Sequence, residues 1–384
     1  MNKYNGKGVI MINQKTKKLH NDWAEKTALS VMRRKPEINT KWEYEDGVVL
    51  QGMELVYHRT NDRKYLDYMV KSMDLFVDAD GNIPKYAPTE YNIDHINNGK
   101  VLLALYEHTG EKRYKKAAAL LRDQLRTHPR TSEGAFWHKM IYPYQIWLDG
   151  LYMGSVFYAR YIQEFGEEHE FDDVLKQFDI SYRHTRDDQT GLLHHAWDEK
   201  KEQPWCDKDT GLSKHFWSRS VGWYVMAIVD VLDYLPIHHD GRKKLLRMLE
   251  ETLAALMLVQ DKESGTWYQI LNQHGRKGNY LESSGTVMIL YAIAKGIRKG
   301  YLPEKWFDQA ERIYRGILDE FILETKEGFV NVNKICQVAG LGGKDKRDGS
   351  FAYYISEPIV ANDHKGVGPF ILASAEMEML QAKK

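Results

Sequence analysis

Apolar residues recur at i, i+3, i+4 and i+7 along most of this chain, which is the signature of amphipathic helices. About twelve segments satisfy the test. They run roughly over 18–34, 47–58, 64–76, 94–108, 113–126 and 147–165 in the first half. In the second half they run roughly over 171–183, 217–235, 242–259, 284–298, 305–324 and 368–381. Gly110 and Gly166 close turns, and Pro236 stops the eighth helix. Strand signals are short and local: β-branched and aromatic residues cluster at 265–271 and 328–332.

The connections between these helices are of two kinds. One kind is short and charged, as in NDRKYLDY, GEKRYKKA, GEEHEFDD, HHDGRKKL and PEKWFDQA. The other is long and rich in Trp, Tyr, His and Asp: TKWEYEDG, YAPTEYNIDHINNG, FWHKMIYPYQIWLDG, and the stretches 194–223 and 328–369. If successive helices run antiparallel, the long loops gather at one end. No Ser/Pro-rich linker divides the chain, so residues 1–384 read as a single domain. Twelve helices in six hairpins close as an inner ring of six within an outer ring of six, an all-α (α/α)6 barrel. An open solenoid is the alternative, disfavoured by the variable loop lengths.

The long loops carry the candidate chemistry and bring Asp94, Trp147, Asp149, His195, Trp217, Arg219 and Trp223 to one mouth. The chain has 24 Tyr and 10 Trp, more than core packing needs. Flat apolar faces with a polar edge suit stacking on sugar C–H surfaces, although most of these rings serve the core. Asp149 sits in IWLDGLYMG at a helix start, where a carboxylate caps the helix dipole. Beside the Trp147 ring it is equally a candidate general acid, because excluded water favours the neutral, proton-donating form. Asp94 holds the matching position in YNIDHINNGK, and two carboxylates entering one mouth suit glycoside chemistry. Arg219 presents a fixed fork of donors that fits a sugar carboxylate or, equally, a structural Asp.

Composition removes several classes. Lys plus Arg and Asp plus Glu are both 54, giving a net charge of +0 without long runs of one sign. That excludes a nucleic-acid footprint or a polybasic membrane patch. Cys206 and Cys336 give neither a disulfide framework nor metal-ligand spacing. The 15 His residues include no HExxH pattern, so no metal and no cofactor is expected in the chemistry. No stretch approaches a membrane span, and the first twenty residues read as a cytoplasmic start. The glycines of GLGGKDKRDGS and HKGVGPF lack the context of a dinucleotide fingerprint and read as hinges of a loop over the mouth; 344–347 reads as a solvated charge cluster.

These motifs resemble the unsaturated rhamnogalacturonyl hydrolases of glycoside hydrolase family 105 over nearly the whole chain. The resemblance rests on KWEYEDGVVLQG, YNIDHINNGK, WLDGLYMG, LLHHAWDE, FWSRSVGWYVMAIVDVLDYLP and EPIVANDHKGVGPFILASAE. It implies an (α/α)6 barrel that takes a lyase-generated oligosaccharide whose terminal uronic acid carries a C4=C5 double bond. It further implies Asp149 as proton donor to C4 and as base for the incoming water, with Asp94 as the second carboxylate. His195, Trp217, Arg219 and Trp223 match subsite residues; Trp147, Lys139 and Tyr44 complete the implied cleft. The partner implied is a small oligosaccharide met by a monomer or weak homo-oligomer. The nearest rival is an unsaturated glucuronyl hydrolase of family 88; a sugar epimerase and a non-catalytic saccharide-binding protein are rivals of other classes.

Overall fold

A computed structural model describes residues 21–38, 41–343 and 347–383. The start of the first expected helix and most of the 344–347 charge cluster lie outside the described residues. The helices in chain order are α1 (Trp23–Arg34), α2 (Tyr44–Thr60), α3 (Arg63–Met73), α4 (Gly99–Thr109) and α5 (Lys112–Thr127). Next come α6 (Val156–Phe165), α7 (Phe171–Thr185), α8 (Ser218–Tyr234) and α9 (Gly241–Leu258). The chain ends with α10 (Ser283–Arg298), α11 (Phe307–Phe321), the short α12 (Phe351–Ser356) and α13 (His364–Gln381).

Two rings follow from the burial patterns. Every residue of α8 from Ser218 to Leu232 is buried, and every residue of α10 from Ser283 to Ile297. A helix apolar all round must be enclosed by other helices. In α5, by contrast, Tyr114, Ala117, Ala118, Leu121 and Leu125 are buried while Lys115 and Lys116 face solvent. Such a stripe packs on one side only. Truncating Leu121, which is fully buried, would cost about 2–5 kcal/mol. Accordingly α2, α4, α6, α8, α10 and α13 pack each on the next, and α13 returns to α2. The remaining long helices lie outside this closed ring, which makes the fold the expected (α/α)6 barrel.

Connections from an inner to an outer helix are tight. Gly110, with φ 72°, ends α4 directly before α5, a left-handed conformation that suits glycine. Connections from an outer helix back to the next inner one are long. All six inner-ring N-termini therefore share the end of the barrel where the long loops lie.

Several expectations are corrected. The last helix starts at His364 rather than near 368, so the glycines of HKGVGPF are helical and not hinges. A Cβ on Gly368 would stand 2.8 Å from the backbone of Val48; the glycine lets α13 lie against α2. The region 265–271 forms isolated bridges, Trp217 with Ile270 and Tyr268 with Leu281, not a strand. The strand expected at 328–332 is present as Val330–Val332, paired with Ile322–Glu324. Two antiparallel ribbons were not anticipated: Gln145–Trp147 with Ala196–Asp198, and Ile335–Cys336 with Ile359–Val360. Strands of two or three residues carry too few alternations to be read from periodicity.

Candidate active site

A cleft of about 550 Å³ opens at the N-terminal end of the inner ring. Tyr44 is the first residue of α2, Asp94 lies in the 3-10 turn Ile93–Asn98 before α4, and Arg219 is the second residue of α8. Asp149 precedes the π turn Leu151–Ser155 that leads into α6. Helix N-termini carry unpaired N–H groups and partial positive charge, so their convergence favours an anionic ligand.

Loop pairing sets the side chains in register. Asn92 bridges to Lys139, and His138 N–H donates to the Gln145 carbonyl at 2.8 Å. Gln145 pairs with Asp198, and Trp147 with Ala196. Leu148 N–H then donates to the His195 carbonyl at 3.2 Å, which lays Asp149 beside His195. This chain of short pairings joins three separate long loops into one wall.

Two carboxylates result, in unlike surroundings. Asp94 Oδ2 meets Lys139 Nζ at 2.7 Å, and its Oδ1 stands 3.6 Å from His138 Nε2. Burial opposes its charge, but Lys139 and His138 hold the carboxyl below the usual carboxylate range. Burial likewise opposes the charge on Lys139, and Asp94 more than offsets it, raising the ammonium above its ordinary value. His138 is pushed down to about 4 by burial and is neutral at pH 7. Asp149 has no cation at its carboxylate among the described residues. Its Oδ2 stands 3.4 Å from His195 Nε2, and neither atom makes a hydrogen bond there. His195 is fully buried, with Nδ1 at 2.8 Å from the Tyr354 hydroxyl.

The rings are as tightly placed. Trp147 stacks on His138 at 4.4 Å and on Tyr142 at 5.1 Å, both nearly parallel. Trp217 lies 4.7 Å from His195 and donates from Nε1 to Gln269 Oε1 at 3.0 Å. The Arg219 guanidinium covers the Trp217 ring at 4.6 Å; its Nη1 donates to Ser284 Oγ at 3.2 Å and to the Cys336 carbonyl. Gly285 makes that contact possible, since a Cβ there would come within 2.6 Å of Ser218. No carboxylate pairs with Arg219 among the described residues.

Thus Tyr44, Asp94, Lys139, Trp147, Asp149, His195, Trp217 and Arg219 line one cleft. Trp223 does not line it: it is fully buried, stacked on Tyr152 at 4.6 Å and edge-on to Tyr44 at 6.3 Å, one layer below. Sequence reasoning missed His138, Tyr142 and Tyr354, and also Lys365, which reaches the cleft from α13 and bonds Glu45 at 3.2 Å. The motifs containing His138 and Lys365 were visible, but nothing in them told which side chains turn inward. A larger cavity of about 880 Å³ lies at the opposite end of the barrel. Its charged groups pair mainly with one another, as Lys295 does with Asp230 and Asp233, so the convergent cleft is the better candidate.

Comparison with known proteins identifies the family. The family model described as Glycosyl Hydrolase Family 88 matches residues 15–381. A solved glycoside hydrolase from family 105 of C. acetobutylicum ATCC 824 is 55% identical, with a TM-score of 0.92, covering 94% of this chain and 100% of that one. The unsaturated rhamnogalacturonyl hydrolase YesR of Bacillus subtilis (strain 168) is 28% identical over 269 residues, 68% of this chain and 73% of YesR. The unsaturated glucuronyl hydrolase of Bacillus sp. GL1 is 14% identical, with a TM-score of 0.67, covering 93% of this chain and 95% of that one, and shares the fold. No helix among the described residues is long and apolar enough to cross a membrane. With the family model matching residues 15–381 and a family-105 enzyme at 55% identity, the chain is a glycosyl hydrolase belonging to families 88 and 105.

Proposed function

We propose that this enzyme releases the terminal 4,5-unsaturated galacturonic acid from rhamnogalacturonan-derived oligosaccharides by hydrating the C4=C5 bond. The observation that carries the reading is the pair of dissimilar carboxylates in one cleft. Asp94 is neutralised by Lys139 at 2.7 Å, while Asp149 faces only a buried imidazole at 3.4 Å. A carboxyl without a cation partner can hold and return a proton; one bonded to an ammonium stays an anion.

In this mechanism Asp149 donates its proton to C4, and positive charge develops at C5 and the ring oxygen. Water adds at C5 as its proton passes back to Asp149, leaving a hemiketal. The hemiketal opens to a C5 ketone and a C1 hemiacetal, which expels the neighbouring sugar as an alcohol and leaves an aldehyde. Asp94 accepts hydrogen bonds from sugar hydroxyls and is positioned by Lys139 and His138. The inner-helix N-termini and the Arg219 guanidinium favour a ring that carries a carboxylate. We read residues 1–384 as one catalytic domain carrying this chemistry.

The test is near-ultraviolet absorbance during incubation with the unsaturated galacturonyl–rhamnose disaccharide, with Asp149→Asn beside it. Loss of the conjugated-alkene absorbance in wild type only is the expected result. Turnover of a hexosamine-linked unsaturated glucuronyl disaccharide in its place would move the enzyme to the glucuronyl substrate class. Normal turnover by Asp149→Asn would remove that residue from the acid role.

A further inference from the structure

At the end of the barrel away from the cleft, the C-terminal turns of two adjacent inner helices bring together two imidazoles and a carboxylate. Glu54 and His58 lie one turn apart on α2, and His108 lies in the last turn of α4. His58 Nε2 is 3.8 Å from Glu54 Oε1, and His108 Nε2 is 3.7 Å from the same oxygen. The ligating atoms of all three lie within 4.8 Å of one another. We propose that Glu54, His58 and His108 form a binding site for a divalent transition metal of the zinc type, tying α2 to α4.

Four features carry this. Zinc bonds to His nitrogen and carboxylate oxygen are about 2.0–2.2 Å, so ligand atoms around a tetrahedral ion lie about 3.4 Å apart. The two Glu54–His separations exceed this by only a few tenths of an ångström, and the His58–His108 separation, within 4.8 Å, closes by side-chain rotation. They are too long for hydrogen bonds. His108 Nε2 is buried with no hydrogen-bond partner, so a donor or lone pair is left unused that a metal would satisfy. Both histidines also sit in last turns, where the partial negative charge of a helix C-terminus favours a cation.

The carboxylate is available as a ligand. Glu54 Oε1 faces both imidazole nitrogens, at 3.8 and 3.7 Å. Arg160 Nη1 is 3.6 Å from Glu54 Oε1 and competes for that oxygen, yet Arg160 has its own partner in Glu107 at 2.8 Å. An ion can thus take Glu54 while Arg160 keeps Glu107. The trio borders the larger cavity through Glu54 and His58, which leaves room for a water as fourth ligand. The cleft lies at the other end of the inner ring, so the ion serves the scaffold and not the chemistry.

Chelator-treated enzyme titrated calorimetrically with Zn²⁺ tests the site, with Co²⁺ as a spectroscopic probe. Uptake of one equivalent is expected, with a Tm increase of about 2–4 °C at saturation and visible d–d bands from Co²⁺. His108→Ala and His58→Ala should each abolish uptake and leave turnover unchanged. His58 is half exposed, so its truncation spares the core if His108→Ala does not fold. Absence of uptake by wild type, or uptake retained in His58→Ala, overturns the proposal.

Discussion

His195 Nε2 stands 3.4 Å from Asp149 Oδ2, and on the far side of the ring His195 Nδ1 meets the Tyr354 hydroxyl at 2.8 Å. Burial first of all keeps Tyr354 protonated, raising its hydroxyl well above its ordinary value. That hydroxyl has no other acceptor among the described residues, so it donates to Nδ1. A neutral imidazole accepting at Nδ1 carries its proton on Nε2. His195 therefore presents an N–H to Asp149, ready to support the carboxylate that forms once Asp149 has given up its proton.

Removing the Tyr354 hydroxyl should release this tautomer without emptying the cleft. We expect Tyr354→Phe to lower kcat about 10-fold, at the low end of acid–base contributions, with KM nearly unchanged. Nitrogen-15 NMR of the histidines should show His195 protonated at Nε2 in wild type and mixed in the variant. An Nδ1-protonated His195 in wild type would refute the assignment.

Arg219 is a fully buried cation of the cleft, and its ordinary value is raised further although burial opposes it, chiefly through Cys336 and Glu282. It stays charged at every accessible pH. Its Nη1 already serves Ser284 and the Cys336 carbonyl, so Arg219→Ala leaves buried acceptors unpaired. The expected cost is about 1–3 kcal/mol of stability, seen in denaturant midpoints, together with a rise in KM for the unsaturated uronate. Arg219→Lys should recover part of the stability but little of the KM, because a point charge cannot reproduce the fork. Equal recovery of both would make the residue purely structural.

How far the chain could be read without coordinates depends on the length of each signal. Long helices such as α5 or α10 repeat their apolar period over several turns, and their boundaries fall within a few residues of expectation. The barrel followed from alternating loop lengths. Asp94 and Asp149 were legible because each precedes an inner helix in an aromatic loop. Tyr354 was not, since it reaches His195 across 159 positions from the six-residue α12. Trp223 shows the opposite failure: a Trp one turn inside a helix entrance looks like a platform, but that turn carries it below Tyr44 into the core. The glycines of HKGVGPF misled for a related reason, since glycine marks close helix packing as readily as a hinge.

Lys139 is the chief attraction that keeps the buried Asp94 carboxyl ionised. Replacing it with Met removes the main attraction that offsets burial, so the Asp94 carboxyl should titrate at higher pH. Because the wild-type group is depressed, the stability it contributes is present above the unfolded carboxylate range and is lost as pH falls through the folded value. In Lys139→Met that contribution should shrink or reverse, and the acid limb of kcat/KM should move to higher pH. A pH–rate profile superimposable on wild type would show that Asp94 need not be ionised for turnover.

Burial depresses three histidines, His128, His138 and His215, each to about 4. Unfolded, each binds a proton near pH 6.5, so between about 6.5 and 4 the unfolded chain holds more protons than the folded one. Stability then rises with pH across that window, and the Tm should fall steadily as the buffer is taken from pH 7 to pH 4. His138 is the most informative of the three because it also touches Asp94 and stacks on Trp147. His138→Gln, which cannot protonate, should flatten the Tm–pH curve over this window while lowering Tm at pH 7 through lost stacking. A curve as steep as that of wild type would place the acid sensitivity in carboxylates such as Asp94 instead.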